Sequence, residues 1–167
     1  MGQSLTDMRR KDRAITDPEW IIALLNRAGY GVLATCKDGQ PFTVARNFAY
    51  DRKRHAIFFH GALKGRTYEN VGEGTPANLN VSEMGEWILA ERAMNFGVKY
   101  KGVVVFGTLR VEEDPAEMKR GLQLLMDKQF PDLKPDVDYE ATTDTDLKVT
   151  AVLRMDVESW SGKEKKG

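Results

Sequence analysis

The segment 57–67, with the sequence IFFHGALKGRT, leads from an apolar strand through a short loop into the start of a helix. Gly61 and Gly65 bracket the loop, and glycine allows both a positive φ and a close approach of the backbone to a ligand. Lys64 and Arg66 add two cations, and arginine can bind a phosphate through two parallel hydrogen bonds. The segment therefore predicts a phosphate cradle. An ordinary surface turn with solvated basic residues is an equally good explanation of these residues alone.

Length and composition indicate one soluble globular domain of 167 residues, of which 30% are charged and 41% hydrophobic. The 25 basic and 25 acidic residues cancel, which argues against a nucleic-acid-binding surface over the whole domain. No apolar run approaches the length of a membrane span, and the N-terminus lacks the apolar core of a signal peptide. We therefore expect a cytoplasmic protein.

The cysteine and histidine content limits the chemistry further. Cys36 is the single cysteine, which excludes an internal disulfide and fits a reducing cytoplasm, and we expect it to be a small buried apolar residue. His55 and His60 are the only histidines, and they give no ligand spacing for zinc. The sequence therefore predicts no metal site.

Alternation and turn residues predict six strands, at residues 30–36, 42–50, 55–60, 77–81 with a continuation toward 89, 100–111 and 147–157. Capping signals at Asp17-Pro18 and Asp114-Pro115 each predict an amphipathic helix, and a short helix is expected at 67–72. Gly102 and Gly107 are expected to mark bends or bulges in the strand 100–111. The predicted class is mainly β (α+β), with a small closed barrel favoured over a doubly wound sheet.

The predicted domain spans residues 1–167, with an N-terminal arm at 1–16 and a solvated tail at 161–167. The arm carries four basic residues within five positions, namely Arg9, Arg10, Lys11 and Arg13. A solvated arm is the default for so short a run, but a phosphate-binding patch or a strap on a partner subunit stays open. The acidic segment 131–146 lacks the spacing of a calcium loop and is predicted to be exposed.

Arg46 stands out within the strand 42–50. One face of this strand is large and apolar and the other is small, and Arg46 falls on the large face. A charge is unusual at such a position. Either the side chain reaches solvent at a sheet edge, or it serves a ligand.

Six short segments, taken in order, resemble proteins related to pyridoxamine 5′-phosphate oxidase. They are MRRKDR at 8–13, YGVLAT at 30–35, NF at 47–48, FFHGA at 58–62, GR at 65–66 and VVFG at 104–107. The most similar branch is that of the nitroimidazole-resistance (Nim-like) flavoproteins. The resemblance covers roughly residues 8–130. It implies a six-stranded antiparallel split β-barrel that forms a homodimer, with FMN bound in two clefts at the subunit interface.

The resemblance also implies which residues bind the cofactor. Residues at the edge of the flavin ring would be Val44, Ala45, Arg46 and Asn47, with His60 near the ring. Residues holding the phosphate would be Ala62, Lys64, Arg66 and Thr67, and Gly61 would also bind the cofactor. Tyr100 and Lys101 would come from the second subunit.

Three departures from the pattern of the resembled family bear on this site. Thr67 stands where Nim-like proteins usually have lysine, so the phosphate would be held by one cation fewer. Ala45 replaces a common proline, and Gly102 replaces a common serine. The pyridoxal-binding residues of the true oxidase are not recognisable, so oxidation of vitamin B6 is not the favoured activity.

The favoured function is that of an FMN-dependent oxidoreductase that reduces a small electron-poor substrate, in the manner of a nitroreductase, with NAD(P)H as the donor. His60 is the candidate catalytic residue, because histidine exchanges protons near neutral pH. A structural role for His60 is the competing explanation. One alternative is a flavin- or haem-binding carrier or sensor without turnover, in which His60 would be an axial ligand. Another is a dimer with a vestigial pocket.

Overall fold

The computed structural model describes residues 4–167. Eight strands are present in this part of the chain: β1 (Ala14–Ile15), β2 (Gly31–Lys37), β3 (Gln40–Arg46), β4 (Ala49–Asp51), β5 (Ala56–Gly61), β6 (Thr75–Ile88), β7 (Gly97–Val111) and β8 (Ala151–Lys165). The helices are α1 (Pro18–Arg27), α2 (Arg66–Val71), α3 (Pro115–Gln129) and α4 (Asp144–Leu147), and short 3-10 turns lie at Lys11–Arg13 and Ala93–Asn95. None of the helices in the described residues is long and apolar enough to span a membrane.

The two longer helices begin where their capping residues predict. The side chain of Asp17 accepts a hydrogen bond from the backbone of Glu19, and Asp114 accepts one from Ala116 at 2.8 Å. Each cap satisfies a backbone N–H that has no partner inside the helix, and each is followed by a proline that needs none. The predicted helix starts are therefore confirmed.

The strands form one antiparallel sheet in the order β3-β2-β6-β7-β8-β5-β4, and β1 pairs with the far part of β8. The strands β3 and β4 lie at the two ends of this order, although only two residues separate them in the chain. The sheet must therefore curl round until its ends approach each other. This is a split barrel with flanking helices, and the predicted fold class is confirmed.

The core fills the inside of the curled sheet. Inward side chains of the middle strands, such as Leu33, Leu79 and Val105, are fully buried with Leu24 and Leu25 of α1. A second, smaller cluster lies outside the sheet, where α3 covers Phe58 of β5. Strand β5 is thus buried on both faces, as the unbroken apolar run before His60 suggests.

Two glycines are required by close contacts. A Cβ on Gly107 would lie 2.0 Å from the backbone oxygen of Asp156, at the point where the pairing of β7 with β8 shifts in register. A Cβ on Gly121 of α3 would lie 2.4 Å from the ring of Phe58. The predicted bulge at Gly107 is confirmed. The one expected at Gly102 is wrong, because the pairing is regular there.

The six predicted strands are present, but the one at 42–50 is divided into β3 and β4. The one predicted at 147–157 begins only at Ala151, because Asp144–Leu147 form α4. At the junction the side chain of Asn47 donates a hydrogen bond to the carbonyl of Gly29, and Phe48 is fully buried. The amine of Lys128 donates to the carbonyl of Phe48 and lies 3.6 Å from its ring centroid. These contacts hold the junction away from the sheet. Burial lowers the pKa of the Lys128 amine to about 8.

Two expectations about the chain are wrong. Residues 161–165 are not a solvated tail, since β8 runs to Lys165 and pairs with Tyr100 of β7 and, through Lys163, with Ala14 of β1. The polar residues 161–165 gave no sign of a strand, because the strands that pair with them, β1 and β7, lie far away in the sequence. Cys36 is exposed rather than buried, because it points outward from β2 next to the buried Thr35.

The acidic segment 131–146 is mostly exposed, as predicted, and it includes the beginning of α4.

Candidate functional site

Arg46 links the two ends of the curled sheet. Its Nη1 donates to the carbonyl of His60 in β5 at 2.9 Å, and its Nη2 donates to the hydroxyl of Thr67 in α2 at 3.0 Å. Its Nε is buried and has no partner within the described residues. Burial lowers the pKa of this guanidinium. We call this junction of β3, β5 and α2 the seam. Arg46 lies at a sheet edge, as one reading of the sequence expected, but it is turned toward protein groups.

The basic loop 62–66 opens beside the seam. Lys64 and Arg66 are exposed, and neither lies within 4.0 Å of a carboxylate in the described chain. Gly65 has a φ of 100° and immediately precedes α2. The guanidinium of Arg66 lies 5.6 Å from the ring centroid of Phe42, and beside it is a small cavity of about 250 Å³. The two cations are therefore free to bind an anion.

His60 is exposed near the end of β5, although the first four residues of the strand are buried. Its backbone pairs with Val152 of β8, and its carbonyl accepts the hydrogen bond from Arg46. Its imidazole makes no hydrogen bond within the described residues. The side chain is therefore available to a ligand beside the seam.

The residues predicted to edge a flavin ring do not share one face. Val44 points inward and packs on the core, whereas its neighbour Ala45 points outward and is exposed. Asn47 is tied to Gly29 by its side-chain amide. Thr67 is buried, and its hydroxyl accepts a hydrogen bond from Arg46. Of these side chains, only that of Ala45 lies on an open face of the sheet.

The centre of this outward face, over the middle strands, carries no charge among the described residues. Val32 of β2 lies opposite Asn80 of β6, which lies opposite Val104 of β7. A chain that is 30% charged would ordinarily place several charges on so many outward positions. We call this surface the uncharged platform, and it consists of Val32, Ala34, Thr43, Ala45, Asn78, Asn80, Ser82, Val104, Phe106, Ser159 and Ser161.

Most platform residues were missed by the sequence reading. The signal was present in β6, where Asn78, Asn80 and Ser82 alternate with buried Ala77, Leu79 and Val81. This alternation predicts a strand whose outer face is polar but uncharged. The extent of the platform depends on strand order, which single-strand patterns do not contain.

Tyr100 and Lys101 do not meet the seam within one chain. They lie on β7, and two strands, β2 and β6, separate β7 from β3. Tyr100 pairs with Met84 and Lys165, and Lys101 lies 3.9 Å from Glu164. The expectation that they reach the cofactor from a second subunit stays a prediction.

Comparisons with known proteins agree with this architecture. A family model described as pyridoxamine 5′-phosphate oxidase matches residues 17–164. The FAD and haem binding protein from Mycobacterium smegmatis has a TM-score of 0.83 and 24% identity, over 93% of this chain and 74% of that one. A flavocytochrome from Azotobacter vinelandii has a TM-score of 0.80 and 22% identity, over 96% and 73%.

A candidate 5-nitroimidazole antibiotic resistance protein from Bacteroides thetaiotaomicron has a TM-score of 0.76 and 17% identity, over 90% of this chain and 86% of that one. A comparison with curated protein sequences found no match. At these identities the structural likenesses show a shared fold. The family model covers most of the chain, from the cap of α1 to the end of β8, and the chain therefore belongs to the pyridoxamine 5′-phosphate oxidase family.

Proposed function

We propose that the protein is an FMN-binding homodimeric oxidoreductase that reduces a small electron-poor substrate, such as a nitroaromatic compound, with a nicotinamide donor. Membership of the pyridoxamine 5′-phosphate oxidase family supports this. One structural observation carries it: a loop opens beside the seam with two cations, Lys64 and Arg66, that have no carboxylate within 4.0 Å in the described part of the chain. Ala45, in the strand that reaches the seam, belongs to a broad platform of small uncharged side chains.

The residues present fit a flavin phosphate. Lys64 and Arg66 have no carboxylate to neutralise them within the described chain, and a Cβ on Gly65 would meet nothing within 4 Å, so the loop has open space beside it. Arg46 contributes its charge from within the seam, where its Nε has no partner. Three cations around one loop compensate for the threonine at position 67, whose hydroxyl supports Arg46.

The residues also fit a flat aromatic ring. Ala45, Ala34 and Asn78 are small and uncharged side chains on the outer face of β3, β2 and β6. A ring can therefore approach the backbone closely there. The flavin, when bound, supplies the redox chemistry. The chain positions the ring, excludes water from one of its faces, and offers the exposed imidazole of His60 to hold or protonate the substrate.

A second copy of the chain would complete the site. The uncharged platform is the kind of self-complementary surface that an isologous dimer needs, because charge is depleted at the centres of interfaces. Val104 and Phe106 in its middle are apolar and only partly covered within one chain. In such a dimer each seam can be met by β7 of the other copy, which gives Tyr100 and Lys101 access to the cofactor.

The visible absorption spectrum of the purified protein tests the proposal. We expect flavin bands, and denaturation should release one FMN per subunit, identified by mass against FAD. NAD(P)H should then bleach the flavin bands, and a nitroaromatic compound should restore them. A colourless protein that also gains no thermal stability on addition of FMN would contradict the proposal, because a bound ligand stabilises the native state.

A haem- or flavin-binding carrier without turnover is the second candidate, and the free imidazole of His60 favours it. Two proteins of similar fold are described as binding haem together with FAD, or as a flavocytochrome. Histidine is a common axial ligand of haem. Under this alternative His60→Ala should abolish a haem band of the purified protein, whereas under the oxidoreductase proposal the flavin colour should remain.

A further inference from the structure

A cluster of cations gathers around Tyr100, away from the seam and the loop 62–66 of the same chain. Three segments that are distant in the sequence meet there: the 3-10 turn Lys11–Arg13, the start of β7 and the end of β8. The pairing of Ala14 with Lys163 brings the first and third together, and the pairing of Tyr100 with Lys165 brings the second and third together. We call the region around Arg13, Tyr100, Lys163 and Lys165 the basic cluster.

Arg13, Tyr100 and Lys163 form its centre. The Nη1 of Arg13 donates to the hydroxyl oxygen of Tyr100 at 3.4 Å, and the Nζ of Lys163 lies 5.9 Å from the ring centroid. Burial alone would raise the pKa of Tyr100, but the hydrogen bond from Arg13 and the charge of Lys163 lower it. Because its oxygen accepts from Arg13, the phenolic proton is directed to another acceptor.

Most of the carboxylates that face the cluster are already paired with other cations. Asp12 is bound by Arg10 through two hydrogen bonds of 2.8 and 2.6 Å, and it lies 3.7 Å from Arg13. Glu83 is bound by Arg27 and Glu86 by Lys99.

A further facing carboxylate, that of Glu164, lies between Lys101 and Lys166 at 3.9 and 3.7 Å. Lys163 and Lys165 have no carboxylate within 4.0 Å in the described chain. Positive charge is therefore left over at the centre of the cluster.

Two adjoining cavities give a ligand room beside these groups. One, of about 360 Å³, is lined by Tyr100, Lys101 and Lys165 among others. The other, of about 410 Å³, is lined by Arg13 and shares Lys165 with the first. Each cavity has more cationic than anionic side chains in its lining, although Glu83, Glu86 and Glu164 line the first and Asp12 and Glu164 line the second. Convergent polar groups around a cavity mark a binding site.

We propose that the basic cluster binds the phosphate groups of a small molecule, with Arg13, Lys163 and the hydroxyl of Tyr100 as the recognising groups. Arginine offers two parallel N–H donors, lysine a point charge and tyrosine a neutral donor, which together match a phosphate ester or a diphosphate. The site borders the uncharged platform, since Lys163 pairs with Gly102 next to Ser161. Tyr100 is also a residue that the proposed dimer would bring to the flavin of the other copy, so flavin content has to be measured alongside binding at this cluster.

Isothermal titration of the purified protein with pyrophosphate tests this site. We expect saturable binding that weakens as salt is raised from about 50 to 200 mM, because salt screens exposed charges. Arg13→Gln combined with Lys163→Gln should weaken binding about tenfold or more, and Tyr100→Phe should weaken it less. The matched control removes two exposed cations elsewhere, Lys53→Gln and Lys148→Gln, and should leave the affinity unchanged. Circular dichroism establishes that each variant is folded.

Absence of pyrophosphate binding by the unmodified protein would overturn the site, as would an equal loss in the control pair. Release of any bound flavin by pyrophosphate would also overturn it, because the anion would then belong to the cofactor site. Tighter binding of a short oligonucleotide than of pyrophosphate would point to nucleic acid and against a small molecule.

Competition then identifies the source of the phosphate. Tighter binding of NADPH than of inorganic phosphate would support a nucleotide ligand if Arg13→Gln combined with Lys163→Gln removes the difference, since NADPH is also the proposed donor at the flavin. Equal binding of phosphate and NADPH would support a site for a free phosphate group. The flavin content is read separately from the absorption spectrum, so failure of this site and failure of the proposed function give different results.

Discussion

The seam and the basic cluster are both rich in cations, but the chain assembles them in different ways. The seam is built from residues 42–67, a single stretch in which strand β3, the β4–β5 hairpin and a loop follow one another. The basic cluster combines residues from the first 13, the middle and the last five positions of the chain. A local site can be recognised from consecutive residues, whereas a site formed by distant segments depends on sheet order.

The two regions also differ in what the cations do. Arg46 is half-buried and donates hydrogen bonds to the His60 carbonyl and the Thr67 hydroxyl, so it links β3 to β5 and α2. Arg13 donates only one long hydrogen bond, to a phenol, and it shares its nearest carboxylate with Arg10. Buried cations with protein partners stabilise the fold, and partly exposed ones without partners are available to ligands.

The largest expected effect comes from a charge on the platform between the two regions. Val104→Asp should dissociate the proposed dimer and release the flavin, because an unpaired charge buried at an interface costs several kcal/mol. Light scattering after size exclusion, together with the absorption spectrum, measures both. Val149→Asp makes the same substitution at a residue that is 71% exposed outside the sheet and should have no effect. A dimer that survives Val104→Asp would place the interface elsewhere.

Breaking the seam should cost stability. Arg46→Met leaves the His60 carbonyl and the Thr67 hydroxyl without their partner, which should lower the free energy of unfolding by about 2–3 kcal/mol. Urea denaturation of the flavin-free protein measures this. Arg66→Met removes an exposed cation from the neighbouring loop and should change stability by less than about 0.5 kcal/mol. Equal stabilities of the two variants would mean that Arg46 does not hold the seam.

The loop cations should differ in their effect on flavin affinity. Arg66→Ala should weaken FMN binding about 10- to 100-fold, because a two-pronged charged contact is worth about 1.5–3 kcal/mol, and Lys64→Ala should weaken it less. Fluorescence quenching of added FMN by the flavin-free protein gives both constants. Negligible and equal effects would argue against a phosphate at this loop.

The smallest expected effect is spectroscopic and concerns the basic cluster. Tyr100 has a lowered pKa and Tyr50 a raised one, so Tyr100 should be among the first of the five tyrosines to ionise as pH rises. In Arg13→Gln this first step should move to higher pH, because the cation that stabilises the phenolate is gone. Absorbance at 295 nm follows it, and Tyr100→Phe should delete it. An unchanged titration in Arg13→Gln would show that Arg13 does not act on Tyr100.

Much of the fold follows from local sequence. The caps at Asp17 and Asp114, the strand alternation and the turn at Asp38 and Gly39 each depend on interactions within a few residues. The candidate phosphate loop was visible for the same reason, since its glycines and cations lie within six consecutive positions. One prediction from local sequence was wrong. Cys36 was expected to be buried at the end of an apolar strand, but it lies on the outer face of the sheet.

The sequence by itself therefore determined the order and type of most elements, although not β1 or α4, together with the family and the two loop cations, because short-range spacing encodes them. Only the tertiary structure decided that β8 continues to Lys165, that Arg46 joins the ends of the sheet, and that Tyr100 lies among cations from both ends of the chain. Each of these depends on the register between strands far apart in the sequence. Register is set by the packing of the whole barrel, and no single segment contains it.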